Sequence, residues 1–543
     1  MKTSRIRTTS AAAASLAVVL AVGACSGGSS SNGDTTVSGN VADAAENDFG
    51  GQAVDDPQAK AGGTFTWAMA APIPHLDPRK PIGASIVGPI AAIYEPLMTL
   101  DAEGHAQPLL AKSMESDDLK TWTMKLPTGL KFSDGTPFNA QAVVDNTKAI
   151  ASETSESQQA YQARQISDVK ADGEDTVVFT LKSEWAQFPT IFADISSLAL
   201  VPSPTAVKKE GEKYGLNPVG VGPYEVKEFK PGQSVTLTKN PDYRTKGEPL
   251  VDTLKYVTLP EADARISGMQ TGQIDGTAMR TPADVEAAKG AGLRVLTQPS
   301  FNYYTIYVNQ KDEALGDDRV RQAMSMATDR KGINQSVFKG AVGEMKGFLT
   351  EDHPNFSEDP AWPAFNEAKA KELVDEYKKE AGVKEVKVDM VLPGIPEMSR
   401  IAAVLQQQWG KVGITLNYKT GNPSEMVSQA VSGTYDLQMR DSGIQPETYN
   451  RLMTNFSGDS PASVVGKDDK VFDDLITTSF SSPDKRAENI DEIQVELNQW
   501  LPQIPLVESL AAVAVGDNVA AFPGTYPTTS AESFRVNKVA VKK

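Results

Sequence analysis

Residues 293–330, LRVLTQPSFNYYTIYVNQKDEALGDDRVRQAMSMATDR, constrain the fold more than any other stretch. In an extended chain Phe301, Tyr303, Thr305 and Tyr307 fall on one face, and Tyr304, Ile306 and Val308 on the other. Such a strand has no polar side to give to water, so it belongs inside a sheet covered on both faces. A helix follows, capped by Asp317 or Asp318, with Val320, Ala323, Met324 and Ala327 at helical spacing. The pattern predicts a crossover between two lobes. The apolar, proline-bounded run 500–508, WLPQIPLVE, is expected to be the return crossover, and two crossings make a hinge.

Between the crossings, strand and helix patterns alternate. Val386, Val388, Met390 and Leu392 mark a strand, and Ile401, Val404, Leu405 and Trp409 form a helical stripe. Ile414, Leu416 and Tyr418 mark the next strand, Asn422 is expected to cap a short helix carrying Met426 and Val427, and 435–439 reads as a strand again. This β-α-β-α-β order predicts a parallel sheet with right-handed crossovers. Ligands of such sheets bind outside the carboxyl ends of the strands, a rule that selects 393–396, 421–424 and 440–447 here. Flanking helices are read from Ala370, Leu373, Val374 and Tyr377, and from Ile490, Ile493, Leu497 and Trp500. In the first half, 64–69 and 121–126 read as strands, and Asn139 caps a helix with Val143, Thr147 and Ile150 inward.

A chain of 543 residues exceeds one core. The expected division is an α/β chain with lobe I at 61–298 plus 506–543, including a subdomain at about 101–215, and lobe II at 299–505.

Ahead of lobe I, Lys2, Arg5 and Arg7 precede the apolar run 11–22, which is shorter than the roughly 18 residues that span a bilayer. Residues 1–24 therefore read as an export signal. Gly23 and Ala24 directly before Cys25 resemble a bacterial lipoprotein cleavage site, which implies a diacylglyceryl thioether on Cys25 and a membrane anchor there. Cys25 is the one cysteine, so an internal disulfide is excluded. Residues 25–60, rich in Gly, Ser and Asp, are expected to form a tether reaching on the order of 30 Å. The formal charge of −17 becomes −17 − 3 = −20 once the signal is removed. No basic stripe is present to attract nucleic acid.

The series GGTFTWAM, LDP, IYEPLMTLDAEG, KFSDGTPF, VGPYEVKEFKPG and RVRQAMSMATDR resembles the extracytoplasmic solute-binding proteins of peptide/nickel-type ABC importers, over nearly all of the chain from Gly62 onward. The resemblance implies a two-lobed, periplasmic-binding-protein-like clamp of type II. It also implies a monomeric, extracytoplasmic receptor that delivers a peptide-like or other small polar solute to a membrane permease. Peptide-binding members carry Gly-Trp-x-x-Asp-x-x-Asp-Pro after the last strand, and the first Asp pairs with the ligand amine. Laid on without gaps, Asp441 falls at the Trp, Ile444 at the amine-binding Asp and Glu447 at the later Asp. Either Asp441 supplies the charge from a shifted position or the ligand lacks a free amine. Arg440 and Asp441 are the polar candidates, and Tyr303, Tyr304 and Tyr307 the aromatic walls.

Enzyme readings lack their minimal parts. GxxxxGK[ST], HExxH and GxSxG are absent, His75, His105 and His353 stand singly, and nothing calls for a cofactor or metal. A surface hydrolase of peptides or glycans and a non-transporting sensor or adhesion lipoprotein remain as alternatives.

Overall fold

The computed structural model describes residues 53–542 except 57–58, 60, 83, 102–103, 194, 298–300, 358–362, 422, 444–451, 453–454, 457–471, 473, 477, 479–485 and 525–533. The expected signal, Cys25 and most of the tether lie outside the described residues.

Two large sheets define the lobes. The first has seven strands in the order Arg294–Thr297, Ala512–Val515, Gly276–Met279, Thr64–Met69, Thr253–Thr258, Ser234–Lys239 and Tyr224–Lys230. Its core is aromatic: Trp67 stacks on Phe522 at 5.9 Å between ring centroids and packs on Phe534 at 4.7 Å. A separate four-stranded antiparallel sheet, Ser113–Glu115, Thr121–Lys125, Thr176–Leu181 and Ile166–Ala171, packs on the helix Ala140–Ala151. Asn139 caps that helix by accepting from Ala142 N at 3.1 Å, and Val143, Thr147 and Ile150 are buried as their spacing requires.

The second large sheet has five strands in the order Ile414–Gly421, Val386–Pro393, Leu437–Gly443, Asn302–Val308 and Gln503–Glu508. Its first three strands are parallel, joined by the helices Pro396–Lys411 and Pro423–Ser432, as the alternation predicts. Asn302–Val308 runs antiparallel between Leu437–Gly443 and Gln503–Glu508, and all seven of its residues are buried. The strand with two apolar faces thus lies inside the sheet, and its neighbour is the return crossover. That return strand stays in the five-stranded sheet through Glu508, and the chain joins the seven-stranded sheet at Ala512. The chain thus passes from the seven-stranded to the five-stranded sheet between Thr297 and Asn302, and back between Glu508 and Ala512. One detail differs from the pattern reading. The strand expected at 435–439 runs from Leu437 to Gly443, because pairing with Asn302–Val308 carries the ladder that far.

Two arginines of the RVRQAMSMATDR segment bind the crossings together. The helix Asp318–Met326 starts at the Asp317 cap and presents Arg321, whose guanidinium donates from Nε to Trp500 O at 2.8 Å and from Nη1 to Leu315 O at 2.7 Å. Arg330 opens the helix Arg330–Phe338 and donates from Nε to Pro505 O at 2.8 Å, with Ser325 Oγ at 3.2 Å on Nη2. Both are buried, at 2% and 8% exposure. A guanidinium satisfies several carbonyls in one plane, whereas an ammonium cannot reproduce that fork. Arg330→Lys is expected to lower unfolding free energy by about 2–3 kcal/mol, measured by urea denaturation, because the Pro505 carbonyl loses its charged donor in a dry site.

Candidate functional site

Strand alternation sorts the predicted residues. Opposite Leu437–Gly443, Tyr304 faces Asp441, whereas Tyr303 faces Ser442, Thr305 faces Arg440 and Tyr307 faces Gln438. Side chains of adjacent strand residues point to opposite sides. Arg440 and Asp441, neighbours in sequence, therefore serve two different faces, and Tyr304 parts company with Tyr303 and Tyr307.

On the Arg440 face, the guanidinium lies 4.8 Å over the Tyr307 ring and donates from Nε to Gln438 Oε1 at 3.1 Å. Gln438 is fixed in turn by its donation to Met426 O at 2.9 Å. The Tyr307 and Ser442 hydroxyls share a hydrogen bond of 3.0 Å, and Asn455 Nδ2 donates to the Tyr307 hydroxyl at 3.3 Å. Tyr303, Tyr307 and Gln438 are buried at 1%, 3% and 0% exposure, so this face is largely an internal polar network that orients Arg440.

On the Asp441 face, residues from both sides of the hinge converge. Ser509, one residue beyond the return strand, donates from Oγ to Asp441 Oδ1 at 2.6 Å. Asp441 keeps contact with water, yet the protein around it desolvates the carboxylate and raises its pKa, against the Ser509 hydrogen bond and the charge of Arg280. Arg280 follows the strand Gly276–Met279 of the seven-stranded sheet. Glu397, in the first turn of the helix Pro396–Lys411, is 4% exposed. Burial raises its pKa too, reinforced by Asp284 and opposed by Arg280 and Arg400. The Tyr304 phenol is raised first by burial and then by Asp441 and Glu397, so the four groups share one electrostatic neighbourhood. The neighbourhood combines Asp441, Glu397 and Arg400 from the five-stranded lobe with Arg280 and Asp284 from the seven-stranded lobe.

Ile444 and Glu447 lie outside the described residues. Glu397, Ser509, Arg280 and Asp284 were not among the sequence candidates. Glu397 follows directly on 393–396, which the strand-end rule selected, and Ser509 directly on WLPQIPLVE. Arg280 and Asp284 carry no local signal, because only the fold brings them to the hinge. The histidines remain apart. His105 pairs with Asp101 at 3.4 Å, His353 packs edge-on to Phe301 at 5.5 Å, and burial lowers the pKa of His75. Among the described residues no group of His, Cys, Asp and Glu is disposed to hold a metal ion. In lobe I, Tyr94 is fully buried and shares a 2.9 Å hydrogen bond with Tyr214.

Two α/β lobes, crossed twice by the chain, with polar side chains gathered at the crossing, define a clamp for capturing a solute. The chain belongs to the bacterial extracellular solute-binding proteins, family 5, whose middle-region profile matches residues 105–463. It is 29% identical over 382 residues to the oligopeptide-binding protein AppA of Bacillus subtilis, covering 66% of this chain and 69% of AppA. It is 29% identical over 290 residues to the glutathione-binding protein GsiB of Shigella flexneri, covering 52% of this chain and 56%, about half, of GsiB. The solved structure of Bacillus subtilis AppA in complex with a nonapeptide matches with a TM-score of 0.77 at 22% identity, over 90% of this chain and 100% of that one. The chain is accordingly a ligand-binding receptor of an ABC importer, built as a type II clamp.

The raised carboxyl of Asp441 sets a pH dependence. A folded-state pKa above the unfolded value means that the ionised form costs stability, and that cost grows as pH rises through the raised value. Asp441→Asn keeps an acceptor for Ser509 and removes the charge. Its melting temperature should exceed that of the unaltered protein at neutral pH, and the gain should vanish toward the ordinary carboxylate pKa of 3.8. Differential scanning calorimetry across that range measures it; a gain that is flat with pH contradicts the assignment.

Proposed function

We propose that the clamp captures a peptide-like solute, or another small polar solute, whose cationic group is held between Asp441 and Glu397 while Arg280 faces it from the opposite lobe. The observation that carries this reading is the Asp441 carboxylate, accessible to water at the end of a central strand and hydrogen-bonded to Ser509 of the return path at 2.6 Å. A cation in a desolvated site needs an anionic partner, and Asp441 is placed to serve from its shifted position in the family motif. The names of AppA and GsiB, which bind oligopeptide and glutathione, support a ligand of that class. We propose further that the protein is no enzyme and works as a monomer. It would be held on the extracytoplasmic face by a lipid on Cys25, with residues 25–60 as tether, and pass its cargo to the permease. Among the described residues no helix is long and apolar enough to cross a membrane.

Asp441→Ala is expected to weaken binding of the best ligand in a peptide panel at least tenfold, about 1.4 kcal/mol, without unfolding. Isothermal titration calorimetry reads this directly, and an unchanged affinity refutes the role given to Asp441. Turnover of the panel that disappears in the same variant would replace the receptor reading with a hydrolase. For the anchor, processing in the native host should stop with globomycin, and insensitive processing would rule the lipid out.

A further inference from the structure

We propose that lobe I carries a second ligand site, separate from the clamp, for an organic anion with an apolar body. A cavity of about 570 Å³ lies where the four-stranded sheet meets the edge of the seven-stranded sheet. One wall is the segment 109–112, leading into Ser113–Glu115; another is the loop 127–131 that leaves Thr121–Lys125; the third holds Asp242 and Arg244, beyond Ser234–Lys239. All three walls belong to lobe I, and none of the lining residues comes from the crossover strands or the five-stranded sheet. The site is therefore formed within lobe I alone.

Its chemistry is mixed in the manner of small-molecule sites, which run to several hundred Å³ with an apolar lining and a few polar groups. Leu109 and Leu130 are half-buried and turn apolar surface toward the cavity beside the buried Leu110. Lys112 and Lys131 end two opposed walls, and among the described residues neither ammonium has a hydrogen bond or an ion pair. Arg244 is committed elsewhere, donating from Nε and Nη2 to the two Glu95 oxygens at 2.7 and 2.8 Å, and the Tyr243 hydroxyl donates to the same carboxylate at 3.1 Å. That fork neutralises Glu95 and fixes the third wall. What faces the cavity is then two lysines against one acid, Asp242, in a chain whose net charge is −17. A local excess of positive charge on so acidic a protein selects for an anion, and the leucines give it somewhere to lay a hydrocarbon or aromatic body.

The test uses the full chain and two fluorinated probes of one shape, 4-(trifluoromethyl)benzoate and 4-(trifluoromethyl)benzamide, followed by fluorine NMR line broadening. The benzoate should bind at millimolar concentration and the neutral amide should not, and added salt should weaken the benzoate. Lys112→Glu/Lys131→Glu, with an unchanged melting temperature, should weaken benzoate binding about tenfold, and Asp242→Asn should tighten it a few-fold. Hydrogen exchange should slow at 109–112 and 127–131. Equal binding of the amide, binding that survives in the double variant, protection confined to the crossover strands, or no broadening at all would each overturn the proposal.

Discussion

Two buried guanidinium groups hold the crossings in register. Arg321 and Arg330 sit on consecutive helices that follow the first crossover, yet their donors end on Trp500 O and Pro505 O, at the start and in the middle of the return. Trp500 ends the helix Arg486–Trp500, whose last carbonyls have no intrahelical partner, and Pro505 lies in Gln503–Glu508, the edge strand of its sheet. A desolvated carbonyl left alone costs about 1–3 kcal/mol. The arginines spend their charge on those carbonyls, so the return strand is fixed from its flank as well as by its pairing with Asn302–Val308. Everything that lies at the far end of these strands, Asp441 and Ser509 included, inherits that placement.

The site follows from this rigidity. Asp441 is raised by desolvation although water reaches it, and Glu397 is raised in the first turn of a helix, where the helix dipole would favour its charge. Asp441 and Glu397 are both held above the ordinary carboxylate range, with Arg280 opposing the shift at each and Asp284 reinforcing it at Glu397. Under the proposed function, a cationic group entering between them would offset the cost of ionising them. Arg280 comes from the other lobe and Ser509 from the path between lobes, so under that reading binding at the carboxylates would be coupled to how closely the lobes approach.

Much of this architecture can be read from spacing alone. The doubly apolar strand 302–308, the β-α-β-α-β alternation and the caps at Asp317 and Asn139 are local patterns, and each has one physical solution. The site was legible only where it lies on those patterns. Asp441 and Arg440 follow from the strand-end rule, but their separation onto two faces depends on where the strand stops, and tertiary pairing decides that. Glu397 and Ser509 adjoin segments that were picked out, yet nothing local marks them as facing Asp441. Arg280 and Asp284 reach the hinge through the packing of one lobe on the other, which no window of sequence contains.

The alternation at Arg440 and Asp441 has a consequence for how such receptors diverge. The two residues carry opposite charges on opposite sides of one ribbon, so a slip of the Leu437–Gly443 ladder by one position would bring the guanidinium to the hinge side and send the carboxylate beneath the sheet. A single residue inserted or deleted ahead of the ladder would exchange which of the two charges lies on the Ser509 side.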